Sequence, residues 1–142
     1  MNDFFSPEQK KRIVDSIKKA ELRTSGEIRV HIESLCKKNV LDRAAQVFAM
    51  LKMHKTKLRN GVLFYFSVKD KKFAILGDAG INSKTEIGFW DEISILIEKN
   101  FREGNFVEGL SQGIEMAGEK LKTHFPYQSD DVNELSDEIS FS

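Results

Sequence analysis

The chain has 142 residues, with 22 basic and 22 acidic side chains, 40% hydrophobic residues and 31% charged residues. That balance fits one globular domain with a full core; it excludes a disordered chain and argues against a dedicated nucleic-acid binder. No apolar run approaches the roughly 20 residues that span a bilayer, and the lone Cys36 cannot close an internal disulfide.

The first helix has a readable start. Ser6-Pro7-Glu8-Gln9 puts Ser at the N-cap, Pro at the first helical position and Gln where it can reach back to the cap. Ile13, Ile17 and Ala20 recur at helical spacing, and Thr24-Ser25-Gly26 is expected to end the helix in a left-handed turn at Gly26. Residues 27–33 then alternate strictly: Ile28, Val30 and Ile32 face one way, and Glu27, Arg29, His31 and Glu33 face the other. His31 and Glu33 on the polar face are expected to be structural or exposed.

A second helix is predicted over 41–53, with Leu41, Ala44, Ala45, Phe48 and Leu51 as its apolar stripe. A basic linker leads to residues 61–68, apolar on both faces as in a covered central strand. A polar turn at 69–72 and a shorter strand at 73–76 make an antiparallel hairpin. The first and second strands, joined through a helix, can be parallel.

Residues 77–82 read as a loop, after which Ser83 and Glu86 have the spacing of a capping box for a third helix. That helix is apolar over a wide arc (Ile87, Phe89, Trp90, Ile93, Leu96, Ile97). Asn105 caps a fourth helix, in which Gly109 and Gly113 would admit a close neighbour. Beyond Pro126 the chain is polar and acidic, a mobile tail in which 138–141 is a candidate edge strand. The order predicts an α/β fold: a three-layer α/β/α sandwich around a mixed sheet of about four strands.

The charges are unevenly placed. Residues 37–72 carry ten basic and two acidic groups, and residues 126–142 carry five acidic and no basic ones. The basic block reads as a solvated face, with an anion or acidic-partner site as the sharper alternative, and the tail is expected to lie near that face. Familiar catalytic signatures are missing: no phosphate loop, dinucleotide fingerprint, nucleophile elbow, HExxH or paired CxxC occurs, and His31, His54 and His124 are scattered. Cys36 lies beside Lys37 and Lys38, but no base stands near it in the sequence to make it a nucleophile.

Several blocks, in order, resemble the TPM domain family: residues 24–30 (TSGEIRV), 59–63 (RNGVL), 73–81 (FAILGDAGI), 89–90 (FW) and 101–106 (FREGNF). The resemblance covers about residues 6–125, placing a TPM domain at 1–125 and an acidic tail at 126–142. It implies an α/β/α sandwich, divalent-metal binding with calcium foremost, and acid phosphatase activity in some members. Many members are membrane-tethered or exported. The N-terminus here shows no apolar signal segment, so a stand-alone cytoplasmic domain without a membrane span is expected.

The expected topology brings Glu27, at the start of the first strand, and Asp78, at the end of the third, to one edge of the sheet. Glu86, Asp91 and Glu92 follow on the next helix. One or two divalent ions, calcium before others, are therefore expected on Glu27, Asp78 and Asp91, with Glu92 and then Glu86 as further ligands. The plainer readings are a turn-forming Asp78, a Glu27 paired with Arg29 or Arg59, and solvated charges on the helix. Two functions follow: a metal-binding regulatory or protein-interaction module, or a metal-dependent phosphatase using Arg59 or Arg102 as phosphate anchor.

Overall fold

The computed structural model describes residues 4–128 and 133–142. Ser6 caps the first helix as its sequence requires: its hydroxyl accepts from the Gln9 N–H, and the Gln9 side chain accepts from the Ser6 N–H. Helix α1 (Pro7–Glu21) leads into β1 (Glu27–Glu33), α2 (Val40–Met50), a 3-10 turn at Met53–Lys55, and the hairpin of β2 (Gly61–Ser67) and β3 (Lys72–Gly77). Then come α3 (Ala79–Asn82), α4 (Asp91–Arg102), α5 (Phe106–Leu121) and β4 (Ser140–Phe141).

The sheet is mixed, in the order β3-β2-β1-β4. β1 runs parallel to β2 from Glu27↔Gly61 to Glu33↔Ser67, and β3 is antiparallel to β2. β4 adds to the far edge of β1, parallel to it, through His31↔Ser140 and Ile32↔Phe141. This is the α/β architecture read from the sequence, including its short C-terminal edge strand.

Alternation decides which side chain enters which layer. Ile28, Val30 and Ile32, with Val62, Phe64 and Phe66, join α1, α4 and α5 in the main core. Leu63, Tyr65 and Ala74 face a smaller core under α2, built with Ala44, Val47, Phe48 and Met53. β2 is therefore buried along its whole length, which accounts for its unbroken apolar run. Gly109 and Gly113 let α4 come close: a β-carbon on Gly109 would stand 2.5 Å from Asn100 Cβ, and one on Gly113 2.8 Å from Ile97 Cδ1.

Three local expectations are overturned. α2 ends at Met50, and its stripe is rotated from the expected one: Val47 is buried, whereas Leu41 and Ala45 are exposed. The single third helix is two. Asp78 caps the short α3, Ser83 closes it, and turns through Gly88, at φ +89°, precede α4. Ile87, expected in the core, is fully exposed in those turns. α1 ends at Leu22 without a left-handed residue, and Gly26 instead lies close under Leu121.

Candidate functional site

The polar face of β1 is the unusual surface of this molecule. Its alternation predicts a face in water, or one with a role; in the structure Glu27, His31 and Glu33 are all buried. Two elements cover it. α2 brings Arg43, whose guanidinium donates two hydrogen bonds of 2.9 Å to the Glu33 carboxylate. The Tyr65 hydroxyl also donates to Glu33, and the Tyr65 ring stacks on His31. Burial pushes the Glu33 carboxyl up, but Arg43 and Tyr65 outweigh it and hold the group below its usual value.

The second cover is the C-terminal segment, residues 133–142. The Glu27 carboxylate accepts from the backbone N–H groups of Glu134 and Leu135. His31 is bracketed by hydroxyls, with Ser140 Oγ 2.9 Å from Nδ1 and Ser142 Oγ 2.8 Å from Nε2. Burial moves His31 down to about 4, so it is neutral at pH 7, and one ring nitrogen donates while the other accepts.

Beside Glu27 lies a groove of about 280 Å³, lined by Glu21, Gly26, Glu27, Tyr127 and Asp137 among others. The Glu21 carboxylate accepts from the Ile28 N–H. Burial, and then a hydrogen bond with the Asp137 side chain, raise Glu21 to about 9. Glu27 is raised to about 7, again mainly by burial, against the opposing pull of the Leu135 and Glu134 N–H groups. Two carboxyl groups in contact cannot both ionise cheaply in a half-buried groove, so one carries a proton.

The residues expected to hold metal are placed as follows. Glu27 and Asp78 do lie at the same edge of the sheet, since Glu27 is opposite Gly61 and the Asp78 N–H bonds the Gly61 carbonyl. They are two strands apart, about 10 Å. The space over Gly61 between them is filled by the Met53 carbonyl and the Leu135 side chain. Asp78 is occupied locally: Arg59 donates two hydrogen bonds to its carboxylate, at 2.8 and 2.9 Å, and the Ala79 N–H donates a third. Asp91 and Glu92 sit exposed on the first turn of α4, with Glu92 paired to Lys120 at 3.1 Å; Glu86 is exposed in the turns before it. Among the described residues, no three His, Cys, Asp or Glu side chains are gathered so as to hold a metal ion. The expected ligand set therefore does not assemble.

Sequence reasoning missed Glu21 and Asp137. Glu21 carried a usable signal, an acidic residue on the last turn of a helix six positions before the acidic start of a strand. Asp137 carried none, because its place depends on the path of a segment read as a tail. That segment does reach the basic linker, where the Lys57 N–H donates to the Glu134 carboxylate.

The sequence matches the TPM domain family over residues 1–120. No curated protein sequence matches. Among solved structures, the chain is similar to the BA42 protein of the psychrophilic bacterium Bizionia argentinensis, at 48% identity and a TM-score of 0.94, covering 100% of this chain and 98% of that one. It also resembles the N-terminal domain of a P. gingivalis protein (18% identity, TM-score 0.71, 89% of this chain and 83% of that one). A third likeness is to the N-terminal domain of a Corynebacterium glutamicum protein (11% identity, TM-score 0.68, 91% and 80%). The last two show a common fold alone.

Proposed function

The chain belongs to the TPM domain family, and from that premise we propose that it works as a cation-responsive protein-interaction domain. The observation that carries this reading is the groove that the Glu21 and Asp137 side chains line together, next to the Glu27 carboxylate that clasps the C-terminal segment. A proton or a cation is required there to offset like charge. We place the divalent ion that the family implies in this groove, with Glu21 and Asp137 as its carboxylates, and not at Asp78, Asp91 and Glu92. Asp78 supports the choice by its commitment to Arg59, and Glu92 by its pairing with Lys120.

The phosphatase reading has less support. Its two anchor arginines are engaged: Arg59 with Asp78, and Arg102 with Glu98 at 3.0 Å. Calcium titration of ¹⁵N-labelled protein tests the proposal. The expected shifts fall on Gly26, Glu27, Ile28 and the amides of residues 134–138. Shifts confined to the Asp78 loop, or none up to millimolar calcium, overturn it. Metal-dependent turnover of an aryl phosphate, lost in Arg59→Ala, would restore the phosphatase.

A further inference from the structure

β1 is flanked unequally. On one side it pairs with β2 through seven residue pairs, and on the other with β4 through two. An open strand edge is a template for another backbone, and proteins cover such edges or use them to capture extended peptides. Here the cover is a segment held mainly by side chains of β1 and not by a long ladder. Glu27 takes its N–H groups at one end, and His31 takes two serine hydroxyls at the other. The Ser142 N–H donates to the Ile32 carbonyl.

The anchors in between are those of a peptide site. Leu135 packs into the smaller core, above Gly61. Ile139 and Phe141 lean on the main core, and the Lys10 ammonium lies 5.6 Å from the centre of the Phe141 ring. Two donors face the acidic segment: the Lys57 backbone N–H donates to the Glu134 carboxylate, and the Arg29 guanidinium feels the charge of Glu138. One of these contacts is incomplete. Arg29 Nε is buried and has no hydrogen-bond partner among the described residues. A buried donor without a partner is costly, so the chain's own segment is an imperfect occupant. A peptide that sets a carboxylate on Arg29 would bind better.

We propose that the β1 edge is a binding site for an extended acidic peptide with a leucine anchor, supplied in trans by a partner protein, and that residues 133–142 are its built-in competitor. This rests on reading the chain as an interaction domain, but not on the ion. Tethering sets the competition: a segment on a short linker has an effective concentration of about 1 mM, so a trans peptide must exceed that or meet a loosened competitor.

The test uses the full chain in the presence of a chelator, so that its result is independent of the calcium response. A synthetic peptide of residues 133–142 is titrated into ¹⁵N-labelled wild type, Leu135→Glu and Phe141→Asp. Each substitution removes one anchor of the segment, Leu135 from the smaller core or Phe141 from the main one. The wild type is expected to show little saturation below about 1 mM peptide, and the variants to bind at least roughly tenfold more tightly, with shifts on residues 26–32. A variant whose own segment has come free, but which binds no peptide, overturns the proposal. So does a segment that neither substitution loosens, because a competitor must be able to open. Shifts from calcium without peptide binding sink this proposal alone, and peptide binding without a calcium response sinks only the ion's role.

Discussion

Arg59 grips Asp78 with two hydrogen bonds, of 2.8 and 2.9 Å, from a backbone position at φ +52°. The pair closes the loop before β2 onto the end of β3, and the same carboxylate caps α3 through the Ala79 N–H. Asp78→Ala should cost about 1 kcal/mol through the lost cap; the half-exposed ion pair adds little more. Burial pushes the Asp78 carboxyl up, but Arg59 and the Ala79 N–H outweigh it and hold it below its usual value. A depressed carboxyl contributes stability at neutral pH and loses it as pH falls through the folded-state value. Urea midpoints of wild type and variant should therefore differ at pH 7 and approach each other in acid. The variant should keep its calcium response; loss of that response at unchanged stability returns the ion to Asp78.

Gly80 packs against the same loop. Its N–H donates to the Arg59 carbonyl, and a β-carbon there would stand 2.2 Å from the Leu58 oxygen and 2.6 Å from that of Arg59. Two backbone oxygens cannot retreat as a side-chain tip could. Gly80→Ala should cost about 3 kcal/mol, the upper part of the overpacking range. Gly104, at φ +80° with nothing within 4 Å of the same position, is the control; Gly104→Ala should cost only about 1 kcal/mol, for backbone strain. Equal losses in thermal unfolding would show that contact at Gly80 is not the cause.

How far these relationships could be read from the residues depends on their range. The alternation of Ile28, Val30 and Ile32 was legible because one face of a strand needs apolar cover, and the parallel partner followed from the helix between the strands. It also put Glu27 and Asp78 at one edge. Whether they touch is a different matter, decided by Met53 and Leu135 filling the space above Gly61. Alternation likewise cannot say whether a polar face meets water or another polar segment; here it meets residues 133–142, more than a hundred positions away. The Ser83–Glu86 pattern failed by local competition, since Asp78 already caps α3 and the chain must turn at Gly88 before α4 can start.

Glu21 and Asp137 set a pH dependence. Glu21 has an ordinary value near 4.5 and about 9 in the fold, raised by burial and by Asp137, with Glu27 adding to it. Between those values the folded state keeps a proton that the unfolded chain releases, so stability falls as pH rises across the window. Glutamine can accept from the Ile28 N–H and donate to Asp137 without that proton. Glu21→Gln should therefore unfold at a higher temperature than wild type at pH 8, by at least about 1 kcal/mol in stability, and at nearly the same temperature at pH 5. A gain of equal size at both pH values would mean that the carboxyl pair does not titrate as described.

His31 works in the opposite direction. It lies between Ser140 and Ser142, stacked on Tyr65, with Glu33 drawing a proton toward it and Arg43 and Arg29 repelling one. Burial dominates and lowers it from 6.5 to about 4. Across that interval the unfolded chain binds a proton that the fold refuses, so stability is lost as pH falls from 6.5 toward 4. Both serine hydroxyls can accept as well as donate, so a charged ring could keep its hydrogen bonds; what it loses is solvation. His31→Gln should thus cost about 1 kcal/mol at pH 7 through poorer packing, yet lose less stability than wild type on going to pH 4.5. The ring carbon shifts of His31 should titrate near 4. A midpoint near 6.5 would put the ring in water, and residues 133–142 would then not close over His31 through Ser140 and Ser142.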